Sequence, residues 1–269
     1  MSKIKNIYSR LRFETGKFIK KDSYEKDETV QDIVNQLKEH GFAAIPNFYS
    51  KEECEFLRNE VDRIIDDSQS EGHLWVDEVG ADNRVHAAHE LSVKINEFNK
   101  NKLLQSVADN YFKGKMQIAN TLAARIRYAK SNIGSGGGWH RDGNFFQFKA
   151  IIYLSDVTEK NGPFQIIDRS HKLSQVIEDT EIMGKEGLDV RMTDSDINKI
   201  VEKEPDRYKM LTAKEGTLLF ADTSAIHTGK PIEEGHRYAL FNYFYPSYDN
   251  IDKRRDFFKN AHKLSSEYE

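Results

Sequence analysis

The chain has 269 residues, with 40 Lys and Arg against 44 Asp and Glu for a net charge of −4. That balance leaves no electrostatic footprint for nucleic acid, and the one cysteine, Cys54, has no partner for an internal disulfide and fits a reducing compartment, the cytoplasm by default. No apolar run approaches the ~20 residues of a membrane-spanning helix, and no secretory apolar region follows the start.

Residues 1–21 interleave Lys3, Lys5, Arg10, Arg12, Lys17, Lys20 and Lys21 with Ile4, Ile7, Tyr8, Leu11, Phe18 and Ile19. This basic, loosely amphipathic segment suits weak contact with an anionic membrane surface or, as the preferred reading, an arm packed on the domain with its lysines in water. Ile33, Val34 and Leu37 recur in phase with Val30, and Gly41 stands where a left-handed stop is wanted, so the spacing predicts a helix over 32–41 and then a short strand over 42–45. Ser50 and Glu53 form a capping box for a second helix with Cys54, Leu57, Val61, Ile64 and Ile65 on one face. Leu103, Leu104, Val107, Ala108, Tyr111 and Phe112 repeat the pattern in a third.

From there the period changes to that of strands. Over 123–128, Arg125 and Arg127 share a face with Ala123. If that face is interior, the guanidinium groups need anionic partners and, with Arg141, Arg169 and Lys172, can bind a phosphate or carboxylate of the main substrate; the other reading is a solvated face paired with Asp and Glu. An apolar run over 148–156 reads as a buried strand, and Asn161-Gly162 as a tight hairpin turn after which 164–167 pairs back against it. Residues 173–209 form a polar insertion with a short helix over 195–202, placed to act as a lid. Strands follow over 216–222 and 238–245. One domain results: helical support and an edge strand over 1–115, a β core over 116–250, and a tail over 251–269.

The densest chemical signal is His140-Arg141-Asp142 with His227 and Arg237. On a strand, residues i and i+2 share a face, so His140 and Asp142 can grip one metal, and a histidine from a distant strand completes a set of two imidazoles and one carboxylate that leaves the opposite positions of an octahedral ion open. His140 and Asp142 also fit a buried hydrogen-bonded pair, His227 an ordinary strand-end histidine, and Arg237 a partner for Glu233 or Glu234. His171 and His236 read as structural. Trp139, Phe146, Tyr153 and Phe164 are available to line a pocket, with plain packing as the alternative.

Trp139-His140-Arg141-Asp142-Gly143, then Asn161-Gly162-Pro163-Phe164, Arg169-Ser170-His171-Lys172, His227 and, ten residues later, Arg237 resemble the phytanoyl-CoA dioxygenase-like family of Fe(II)/2-oxoglutarate oxygenases over roughly the second half of the chain. The sequence departs from that pattern at three places. Asp168-Arg169 replaces Pro-Gly, Arg141 replaces a frequent glutamine, and Gly229 stands where a small hydroxyl residue often assists the arginine. Thr228 is the available substitute for that hydroxyl, although strand alternation turns it to the opposite face.

The resemblance implies a double-stranded β-helix, or jelly-roll (cupin-like) barrel, supported by the N-terminal helices. It implies His140, Asp142 and His227 as Fe(II) ligands and Arg237, with Thr228, as the site for the co-substrate 2-oxoglutarate. The implied reaction uses O2 to hydroxylate an unactivated C–H bond with release of succinate and CO2. Relatives that halogenate lack the carboxylate that Asp142 supplies. The expected partner is a small anionic metabolite, with Arg125, Arg127, Arg141, Trp139 and Tyr153 as its contacts. A non-oxidative metal-dependent cupin isomerase or lyase, or a metal-binding module without turnover, uses the same barrel.

Overall fold

The computed structural model describes residues 27–67, 72–130, 137–143, 147–187, 189–247 and 249–260. The basic segment 1–21, much of the glycine-rich approach to His140, and Phe146 lie outside the described residues. Helix α1 (Glu28–His40) starts earlier than its apolar phase suggests because Asp27 caps it, accepting from the backbone N–H groups of Thr29 and Val30; Gly41 ends it at φ +83°. Strand β1 (Phe42–Ile45) follows, then α2 (Lys51–Asp66) behind the expected capping box of Ser50 and Glu53. Strands β2 (Leu74–Val76) and β3 (Asp82–Val85) lead to α3 (Ala88–Leu91), α4 (Val93–Asn99) and α5 (Lys102–Phe112).

The long strand β4 (Met116–Arg127) opens the β core, followed by β5 (Phe148–Tyr153) and β6 (Phe164–Ile167). The insertion folds as α6 (Leu173–Met183) and α7 (Asp194–Lys203), and β7 (Tyr208–Leu211), β8 (Leu218–Asp222), β9 (His227–Gly229), β10 (His236–Pro246) and α8 (Ile251–Lys259) complete the chain. All pairings are antiparallel: a seven-stranded sheet in the order β1-β8-β5-β10-β4-β3-β2 faces a three-stranded sheet β7-β6-β9. No helix among the described residues is long and apolar enough to cross a membrane.

The two-residue period of the large sheet sorts its side chains between two layers. Ala123, Phe148, Ala150, Ile152, Leu218, Phe220, Tyr238 and Leu240 join the core that α1, α2 and α5 cover. Their neighbours Ile151, Tyr153, Leu219, Ala221 and Ala239 face the small sheet and meet Phe164 and Ile166. Cys54 belongs to the helix-covered layer, where burial pushes its thiol pKa up to about 11 and leaves it inert.

The expected hairpin at Asn161-Gly162 does not form. β5 and β6 belong to different sheets, and the ten residues between them carry the chain from one sheet to the other. Gly162 is needed for a different reason: at φ +71°, a Cβ there would fall 2.7 Å from Ile232 Cγ1 and 2.8 Å from the Lys230 carbonyl. The loop is thereby pressed onto the β9–β10 connection, which it meets through an Asn161–Ile232 bridge and the Lys230 N–H donating to the Pro163 carbonyl at 3.0 Å.

The Arg169-Ser170-His171 segment is structural. Ser170 Oγ accepts from the Ile226 N–H at 2.8 Å, tying β9 in place, and His171 packs under the glycine that ends α1. Arg169 holds φ +63°, a left-handed conformation that strains a residue bearing a Cβ, at the place where the family pattern has glycine. Arg169→Gly is therefore expected to stabilise the protein by about 1 kcal/mol, the relief of strain exceeding the added freedom of the unfolded chain. Urea denaturation of the two proteins reads the difference directly.

Candidate metal centre

His140 extends the small sheet by a single residue. Its N–H donates to the His227 carbonyl at 2.9 Å and its carbonyl accepts from the His227 N–H at 2.8 Å, while Arg191 bridges it on the other side. The regular strand expected through His140 and Asp142 is thus one bridge followed by a bend. Asp142 is brought in by its backbone, whose N–H donates to the Thr223 carbonyl at 2.9 Å just beyond β8.

The consequence is a convergence of donor atoms. The two imidazole rings lie 4.3 Å apart between centroids. Asp142 Oδ1 lies 3.3 Å from His140 Nε2 and 3.7 Å from His227 Nε2. One ligand atom from each residue falls within 4.8 Å of the others, close enough for all three to hold one metal ion. In each ring Nδ1 is 2.8–3.0 Å from a backbone carbonyl, Gly138 for His140 and Ala225 for His227, which assigns the proton to Nδ1 and turns a bare Nε2 inward.

Electrostatics favour the ligating forms. Burial drives the His227 pKa from 6.5 to about 3, so the imidazole is neutral, as a metal ligand must be. For Asp142, burial opposes the charge but is outweighed by Lys149, His227 and His140, which together hold its pKa well below the ordinary carboxylate value. Phe164 stacks on the His227 ring at 5.2 Å and shields it.

These groups sit at one end of a cavity of about 410 Å³ between the sheets. Its walls are Leu122, Ala124 and Ile126 of β4, Ile151 and Tyr153 of β5, and Phe241 and Tyr243 of β10. Arg237 enters from the start of β10, 4 % exposed, near Tyr153 and Gly229. Burial lowers its pKa, but a guanidinium stays charged.

Of the residues expected at the substrate, Tyr153 lines the cavity, its hydroxyl accepting from the Phe164 N–H at 3.0 Å. Arg125 faces the helices instead: it donates to Asp62 of α2 at 2.7 Å, with Asp66 at 3.5 Å, and Arg127 on the same face is exposed. Neither lines the cavity, because the parity that turns Leu122, Ala124 and Ile126 inward turns both arginines outward. Arg141 touches the cavity wall, but its guanidinium donates to the carbonyls of Ser170 and Ser224 and serves as a strut. Trp139 packs with Ile167, Met183 and Ile226 under the insertion, away from the cavity. Thr228 is likewise turned from the cavity, which His227 and Gly229 line, so it does not stand in for the absent hydroxyl.

Sequence reasoning missed Lys149, Arg84, Arg191 and Tyr243, all on the cavity wall. Lys149 had a signal, a lone charge in the apolar run Phe148–Tyr153. Arg191 had none. The insertion that carries it is a wall: Arg141 N–H donates to the Val190 carbonyl and Met192 N–H to the Trp139 carbonyl, placing Val190 and Arg191 on the rim.

His227 gives a pH prediction for the metal-free protein. Below pH 6.5 the unfolded chain takes up a proton that native His227 refuses until about pH 3, so stability falls as pH drops through that window. His227→Gln should flatten the fall by up to about 1.4 kcal/mol per pH unit and abolish metal-induced stabilisation. Thermal denaturation across pH, with and without added divalent metal, measures both effects.

The fold has been seen before. The apoform of EctD from S. alaskensis superposes with a TM-score of 0.65 at 15% identity, covering 85% of this chain and 81% of that one. HygX from Streptomyces hygroscopicus, with nickel, 2-oxoglutarate and hygromycin B bound, gives 0.57 at 16% identity over 81% and 88%. The non-heme alpha ketoglutarate dependent epimerase SnoN from nogalamycin biosynthesis gives 0.60 at 12% identity over 81% and 83%. No curated protein sequence matches the chain. The family profile described as phytanoyl-CoA dioxygenase (PhyH) matches residues 37–237, well over half of the sequence, and the chain belongs to that family.

Proposed function

We propose that this protein is an Fe(II)- and 2-oxoglutarate-dependent dioxygenase that hydroxylates an unactivated C–H bond of a small anionic metabolite, releasing succinate and CO2. The observation that carries this reading is the convergence of His140 Nε2, Asp142 Oδ1 and His227 Nε2 at one end of a cavity that also holds the buried Arg237. Two imidazole nitrogens and one carboxylate oxygen suit Fe(II) and leave coordination positions for substrates. When bound, the ferrous ion supplies activation of O2 coupled to decarboxylation of the keto acid.

The chain's own residues do the rest. Arg237 offers a planar fork that matches the distal carboxylate of 2-oxoglutarate bidentately, and in a buried setting that charge fixes the co-substrate's orientation. Ile151, Leu122, Phe164 and Phe241 exclude water around it and strengthen the pairing. Arg191 on the cavity rim favours an anionic substrate over a neutral one. The carboxylate of Asp142 fills the position that a halide needs, which favours hydroxylation over halogen transfer. The relatives by fold include an epimerase and SnoK, an alpha ketoglutarate dependent carbocyclase, so product analysis is the step that separates hydroxylation from these outcomes.

Anaerobic addition of Fe(II) and 2-oxoglutarate should produce a weak visible charge-transfer band, and aerobic incubation should release succinate, faster when the right metabolite is supplied. Arg237→Met should raise the KM for 2-oxoglutarate tenfold or more, since a hydrogen bond to a charged group is worth about 1.5–3 kcal/mol. Metal binding with neither band nor succinate would instead identify a non-oxidative cupin enzyme or an inactive binding module.

A further inference from the structure

Lys149 is the one charged residue of the six-residue strand β5, and it points inward with Ile151 and Tyr153. Its side chain is 11% exposed, and its Nζ lies 2.6 Å from Asp142 Oδ2. The approach is an ion pair rather than an aligned hydrogen bond. The ammonium also lies 4.8 Å from the centre of the Tyr243 ring, a cation–π distance.

The two carboxylate oxygens of Asp142 therefore have separate neighbours: Oδ1 faces both histidine Nε2 atoms and Oδ2 faces the lysine. That division matters for any metal held there. A carboxylate that binds through both oxygens takes a second coordination position, and in a site with three protein ligands that position is one the substrates require.

Resting on the metal assignment above, we infer that Lys149 is a positioning residue that reserves Asp142 Oδ2, keeps Asp142 a one-oxygen ligand, and so preserves an open coordination position for the keto acid. The ammonium also sets a limit on metal affinity, because it stands beside the ligand whose negative charge the cation must share.

The test uses the full-length protein loaded with Co(II), whose visible spectrum reports coordination number. Lys149→Met removes the charge at similar length, and Lys149→Arg restores a cation. If wild type takes up no Co(II), the metal assignment itself has failed, and Lys149 is not at issue. With Co(II) bound by wild type, Lys149→Met should bind the ion about tenfold more tightly, a shift of the size that outer-shell changes produce. Its spectrum should change in the binary complex, and its affinity for 2-oxoglutarate should fall by a similar factor, with Lys149→Arg moving all three back toward wild type. A lysine that only touched the keto acid would weaken its binding while leaving metal affinity and the binary spectrum unchanged, and that result overturns the inference. So does a loss of metal affinity, or no change in any of the three. Should Lys149→Met not fold, Lys149→Gln, which removes the charge but keeps a polar end, carries the same expectations and the same overturning results.

Discussion

His140 and His227 exchange both of their backbone hydrogen bonds across a single-residue bridge, and the geometry of the site depends on that exchange. It fixes two imidazoles side by side without relying on side-chain contacts, which lose rotamer entropy when ordered. Because each Nδ1 already faces a carbonyl two residues back in the chain, the backbone also selects the tautomer that leaves Nε2 bare. The third group comes from the same economy of means, since the Asp142 N–H is held by Thr223 at the end of β8. Two segments far apart in sequence, one carrying His140 and Asp142 and the other His227, are thus brought to one point by main-chain bonds, with Ser170 and Arg141 bracing the turn that leads into β9.

The cavity behind these groups is a low-dielectric space that contains more cations than acids along its wall. Buried charge is tolerated only when it is compensated, and the compensation is arranged pair by pair. Arg84 lies 2.5 Å from Asp82, Lys149 lies 2.6 Å from Asp142, and Arg141 is held by carbonyls. Arg237, buried on the same wall, completes a site whose cations suit a dicarboxylate. The large sheet serves two purposes at once, its helix-facing side supplying the core and its other side the cavity, so that stability and chemistry are separated by residue parity alone.

Much of this was legible in the sequence. Caps and apolar phase located α1, α2 and α5, because those signals are local: the Ser50–Glu53 box and Gly41 act within one turn of the helix they bound, while the Asp27 cap that starts α1 earlier went unread. The three converging residues were also legible, since their order and spacing carry the family's pattern. What could not be read was anything set by pairing across the barrel. Asn161-Gly162 resembles a hairpin turn, yet its glycine answers to Ile232 and Lys230, some seventy residues away. Arg125 and Arg127 were correctly placed on one face, but which face looks inward is decided by where the helices dock, and Asp62 of α2 claims Arg125. Lys149 and Arg191 reached the cavity for the same kind of reason, through registry with β10 in one case and with His140 in the other.

The most direct measurement is a crystal structure of the protein prepared without oxygen in the presence of Fe(II) and 2-oxoglutarate. The iron is expected on His140 Nε2, His227 Nε2 and one oxygen of Asp142, with the keto acid reaching from the metal to a bidentate contact with Arg237. An ion bound elsewhere, or a keto acid whose distal carboxylate lies away from Arg237, would contradict the assignment of this cavity as an oxygenase site.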